Sequence, residues 1–138
     1  MKSNALHTMG YWISTALLAL ALGAGGALDL MHAPEVMTGL ERLGYPAYLA
    51  TLLGVWKLAG VVALLAPGLG QLKEWAYAGI AFDLTGAAFS HLASGDGPGA
   101  IAPLALLAIG AASWALRPAS RLSRPLPWSV GRFATRAV

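Results

Sequence analysis

Cysteine is missing from all 138 residues, which excludes disulfides, thiolate metal sites and thiol redox chemistry carried by the chain itself. Charge is also scarce. Only 11% of residues are Asp, Glu, Lys or Arg, against roughly a quarter in a soluble domain. By contrast 57% are hydrophobic and mean hydropathy is +0.64. A soluble core of this size could not hide so many apolar side chains, so composition assigns the chain to a membrane. The parts of an active site are missing as well. The sequence has no nucleophile with a base in helical register, no carboxylates at glycosidase-like spacing, no phosphate loop and no metal cluster. Ser90 and His91 are neighbours, so on a helix they point about 100° apart and are poorly placed to activate each other. A non-enzymatic role is the expectation, and the residues themselves point to no cofactor.

What the chain does have is four apolar runs. They lie at about Gly10 to Leu30, Tyr48 to Ala66, Trp75 to Ala93 and Ala100 to Leu116, lengths that suit a hydrocarbon layer about 30 Å thick. The expected fold is all-α: an integral membrane four-helix bundle. Pro67-Gly68 and Gly95-Asp96-Gly97-Pro98-Gly99 make short links on either side of the third run, which favours antiparallel neighbours. The first run reads as a span and not as a cleaved leader. It is longer than a signal core, follows a single Lys, and runs into Asp29 and Leu30 without a polar mature start. Between the first two runs, MHAPEVMTGLERLGYPA places Val36, Leu40 and Leu43 at helical spacing among Glu35, Glu41 and Arg42. A short amphipathic helix at the interface is expected there. Residues 1–116 form one membrane domain, and 117–138 a basic tail for which disorder is one reading.

The tail carries Arg117, Arg121, Arg124, Arg132 and Arg136 with no acid. Positive residues stay cytoplasmic, so both termini are expected on the cytoplasmic side of the membrane. Trp12, Trp75 and Trp114 then sit at the inner interface, and Tyr45 and Tyr48 at the outer one. Arginines spread beside a span meet anionic lipid first, so the bilayer is the expected partner and nucleic acid is not.

Two charges fall near the middle of the spans. Lys57, in LGVWKLAG, is about ten residues into its run, roughly 15 Å from the outer boundary at about 1.5 Å per residue. Asp83, on the antiparallel third run, reaches a similar depth. A lone charge there costs roughly 2.5 to 3.5 kcal/mol on insertion scales, so Lys57 and Asp83 are expected to pair. Ala76, Gly79, Asp83, Gly86, Ala87 and Ser90 form one stripe of the third span, with Tyr77, Phe82, Leu84, Phe89 and Leu92 away from it. The stripe reads as a packing face, as do Ala50, Gly54 and Gly60 around Lys57. Asp29 and His91 are secondary candidates near the outer end, and one acid with one imidazole is a weak metal signal. The pair could lock the helices or contact a ligand; both readings stay open.

The segments LGYPAYLATLLGVWKLAG and KEWAYAGIAFDLTGAAFSH, with the first span and the basic tail, resemble the DoxX-like family of small four-span bacterial membrane proteins. The resemblance covers about Tyr11 to Leu116. The family takes its name from a membrane subunit linked to quinol oxidation or thiosulfate:quinone oxidoreduction. The resemblance therefore implies the four-helix membrane fold, with a quinone as ligand and redox-complex subunits as partners. Without cysteine, electrons would not pass through this chain's own side chains. Three roles follow: an accessory protein or subunit of a redox system that binds a quinone or other lipophilic ligand, a small proton-coupled transporter, and a purely structural assembly protein. A homo-oligomer is compatible with each.

Overall fold

A computed structural model describes residues 2–122. Its α-helices are α1 (Lys2–Leu30), α2 (Pro34–Arg42), α3 (Tyr48–Leu65), α4 (Gly70–Ala93) and α5 (Ile101–Ala115), with single 3-10 turns at Pro98–Ala100 and Ala119–Arg121. No strand occurs among the described residues. Segments Ala5–Leu30, Tyr48–Leu65 and Pro98–Ala115 are long and apolar enough to cross a membrane. Helix α4 is not among them, because Lys73, Glu74, Asp83 and His91 interrupt its apolar residues. Arg124, Arg132 and Arg136 of the basic tail, and with them its expected disorder, lie outside the described residues.

The expected helices form, but two begin earlier than the apolar runs. Helix α1 starts at Lys2 and α4 at Gly70. Gly68 takes a left-handed conformation (φ 74°) directly after Pro67, so the chain turns in a few residues and Lys73 falls inside α4 instead of in a loop. Helix α2 matches the amphipathic expectation: Pro34 opens it, and none of its residues is buried.

Each long helix touches two others. Helix α1 meets α3 and α5, and α4 meets the same two. Leu18 and Leu22 of α1, Leu64 of α3, and Tyr77, Ile80 and Leu84 of α4 form the core. A chain of hydroxyls crosses it: Thr15 Oγ1 and Tyr77 Oη each lie 2.7 Å from Ser113 Oγ. The outer surface carries large apolar side chains, among them Trp56, Trp75, Phe82 and Phe89. That is an unstable arrangement in water and a favourable one in lipid.

The face that α4 buries is not the small-residue stripe. Lys73, Tyr77, Ile80, Leu84 and Ala88 are its buried residues, whereas Gly79 and Gly86 are exposed and a Cβ on either would meet nothing within 4 Å. The expected packing face is corrected accordingly. Large side chains fill more of the volume between four helices than glycines can, so Tyr77 and Leu84 turn inward and leave the stripe on the flank facing α3.

On α3 Gly54 does act as a close-packing residue, against α1, whereas a Cβ on Gly60 would make only ordinary contact with Ile80 at 3.8 Å. A Cβ on Gly54 would lie 2.8 Å from the Gly26 carbonyl oxygen, and one on Gly26 would lie 3.2 Å from the Gly54 oxygen. Two glycines thus let the α1 and α3 backbones approach closely. Because the obstacle is backbone, Gly54→Ala must push the helices apart. The expected cost is about 1 to 2 kcal/mol, measured as earlier unfolding of purified protein in mild detergent; an unchanged midpoint would mean the helices are not held this close.

Candidate functional site

Close approach at Gly26 and Gly54 decides where Lys57 points. The Lys57 stem packs on Gly26, where an added Cβ would lie 3.1 Å from Lys57 Cβ. Its ammonium donates to Asp29 Oδ2 at 2.7 Å. Asp29 is one turn beyond Gly26 on α1. Side chains lean toward the N-terminus of their own helix, and a lysine carries its charge several ångströms further along that direction. In α3 that direction leads to Asp29. Side-chain exposures of 21% for Lys57 and 7% for Asp29 make this a largely desolvated ion pair.

The expected Lys57–Asp83 pair is therefore corrected. The depth argument was sound, since Gly60 faces Ile80 and one turn onward brings Lys57 level with Asp83. It is the direction around the helix that differs: Lys57 faces α1 and leaves Asp83 with no hydrogen bond or ion partner among the described residues. Asp83 and Lys57 still line one cleft of about 660 Å³ between α3 and α4. Its walls are mostly apolar and aromatic, including Trp56, Trp75 and Phe82, and the exposed Gly79 of the small stripe forms part of its floor. Among the described residues those two are its only charged lining groups. The size lies within the usual range for small-molecule sites, roughly 300 to 1,000 Å³.

Asp29 and His91 are not brought together. His91 Nδ1 lies 2.8 Å from Asp96 Oδ2 in the link after α4, and Asp96 Oδ1 accepts from the Gly99 amide at 3.0 Å. Any Cβ at Gly99 would overlap this His91–Asp96 contact. The His91 hydrogen bond first, and the Gly99 amide second, hold the Asp96 carboxyl below the usual carboxylate range. Its stabilising contribution is therefore complete above that range and is lost as pH falls through the depressed value. Thermal unfolding followed between pH 7 and strong acid should show a loss that Asp96→Asn removes; identical acid profiles for the two proteins would refute the link.

Several polar residues carry roles that the sequence did not suggest. Lys73, only 1% exposed, donates to Ala63 O at 2.6 Å and also to Ala66 O. Arg121 reaches Leu65 O at 3.1 Å and Ala66 O at 3.2 Å, with its guanidinium 4.9 Å from the Trp12 ring centre. Two cations thus satisfy the free carbonyls at the C-terminus of α3, where the helix dipole favours positive charge. Arg117 binds Glu74 at 2.6 Å, while Trp114 Nε1 donates to the other Glu74 oxygen at 3.1 Å. A smaller groove of about 400 Å³ between α4 and α5 ends at this Glu74, which is already occupied by Arg117. At the opposite end, His32 takes a left-handed conformation (φ 49°) just past α1, and its Nε2 lies 2.8 Å from Thr51 Oγ1. Tyr45 Oη and Ser90 Oγ are 2.7 Å apart. The only available signal for Lys73 was its position four residues before Tyr77, on what proves to be the buried face.

Among the described residues no three His, Asp or Glu side chains converge as a metal site requires. The cleft around Asp83 is thus the place where the fold offers both space and a free polar group. Comparison with known proteins finds the DoxX-like family matched over residues 13–113. No curated protein and no solved structure matches the chain.

Proposed function

Since the chain belongs to the DoxX-like family, we propose that it is a non-enzymatic membrane protein that takes up a lipophilic molecule from the bilayer, a quinone being the leading case. The observation that carries this reading is Asp83, a carboxyl without a hydrogen-bond or ion partner among the described residues, in a cleft whose walls are apolar apart from Asp83 itself and the Asp29-bound Lys57. Apolar walls suit a hydrocarbon chain. A protonated Asp83 can donate a hydrogen bond to a carbonyl oxygen, as the head of a quinone requires. The protein serves as an accessory component or subunit of a redox system, holding the ligand while its partners exchange electrons with it.

In this reading α4 also spans the membrane, as the third of four spans, and neighbouring helices run antiparallel across a bacterial inner membrane. Arg117 and Arg121, with Trp12 and Trp114, lie at the cytoplasmic boundary, where both termini remain and where the arginines meet anionic lipid. Helix α2 lies along the outer interface.

Decylubiquinone added to the purified chain in detergent should raise its melting temperature, because a ligand that binds only the folded state stabilises it by mass action. Trp56→Ala, which removes one aromatic wall of the cleft, should weaken that shift. A melting temperature that does not respond, together with no quinone or lipid extracted from purified protein, would remove the reading. A purely structural role would leave Asp83 replaceable by Leu without loss of cellular function.

A further inference from the structure

The charges around the cleft do not balance. Lys57 faces Asp29 at 2.7 Å, so its positive charge is matched within α1 and α3. Asp83, on α4, makes no hydrogen bond or ion pair with either of them among the described residues, although both act on its charge across the short distance between the helices. Helix α5 (Ile101–Ala115) contributes no titratable side chain, and His91, further along α4, is held by Asp96. The groups Asp29, Lys57 and Asp83 therefore sum to zero when one of the two carboxyls carries a proton and to minus one when neither does; with Lys57 on Asp29 at 2.7 Å, the proton falls to Asp83. A net negative charge in an apolar cleft is costly unless a cation joins it.

We propose that the cleft binds lipophilic monocations, each taken up in exchange for the proton of Asp83. This rests on the ligand-binding reading of the cleft and adds the charge of the ligand. The exchange is balanced: the protonated carboxyl releases one proton to solvent, the cation takes its place beside the carboxylate, and the net charge of the site stays at zero. The walls favour such a ligand, because Trp56, Trp75 and Phe82 line the same cleft and aromatic faces attract cations. An anion finds no equivalent, since the ammonium of Lys57 is already bound to Asp29.

The test is calorimetric titration of the full chain in detergent with tetraphenylphosphonium, and separately with neutral decylubiquinone. Repeating the first titration in buffers of different ionisation enthalpy counts released protons. The expected result is one proton released per phosphonium bound and an affinity that rises about tenfold per pH unit while Asp83 remains protonated. Asp83→Asn, its fold checked by helical circular dichroism, should lose phosphonium binding by at least about tenfold, and Asp83→Glu should retain it. Binding of decylubiquinone without phosphonium would overturn the exchange and leave the cleft reading standing. Binding of neither would overturn both. Phosphonium affinity that is independent of pH, or unchanged in Asp83→Asn, would overturn the role of Asp83.

Discussion

Replacing Lys57 by Met is expected to destabilise the protein by about 3 to 5 kcal/mol, since it strands a carboxylate that is 7% exposed without its partner. The instructive result is the rescue. In Lys57→Met/Asp29→Leu no charge is left behind, and stability should return to within about 1 kcal/mol of the parent chain, because well-packed apolar pairs often replace buried ion pairs at little cost. Lys57→Met/Asp83→Leu should gain no such relief. Unfolding midpoints of the parent chain, the three single and two double variants, measured in one detergent, give both coupling energies. If Asp83→Leu proved to be the rescuing change, Lys57 would belong to α4 and the α1–α3 pairing would fall.

The second large effect is expected at Lys73. Lys73→Met keeps the bulk of the side chain and removes the donor to the carbonyls of Ala63 and Ala66. Arg121 also reaches Ala66 O, so one acceptor is left wholly unsatisfied and the other partly. At about 1 to 3 kcal/mol per unsatisfied buried group, a loss of about 2 to 4 kcal/mol follows. Lys73→Arg should recover less than the chemical similarity suggests, because a planar guanidinium does not fit a site shaped for a compact ammonium. A Lys73→Met variant as stable as the parent would show that water or lipid can serve those carbonyls equally well.

Much of the architecture was legible because it depends on properties that act along one dimension. Apolar run length, Pro67-Gly68 and the glycine-rich link after α4 placed every long helix, and Val36, Leu40 and Leu43 gave α2. Depth was legible too, which is why Lys57 and Asp83 were correctly matched in level. The direction of each side chain around its helix was not, because it depends on which neighbour a helix approaches. Gly54 signalled a close approach without naming Gly26 as its counterpart, and that choice turns Lys57 to Asp29. The small stripe of α4 misled for a related reason. Small residues mark either a tight contact or an open groove, and only the inward packing of Tyr77 and Leu84 decides between them. Lys73 escaped notice because it precedes the apolar run of its helix, where a lysine usually meets solvent or lipid head groups.

The position of Arg121 bears on how the chain is made. Its side chain joins the end of α3 to Trp12 of α1, yet it lies beyond α5, so a ribosome supplies it after every long helix has been translated. Until then the last carbonyls of α3 depend on Lys73 alone, and α1 and α3 lack this link at their shared end. Completion of this end of the bundle therefore waits for the last helix to be followed by its arginines, and released chains that stop at Ala115 should be digested by protease at that end while chains extended past Arg121 resist.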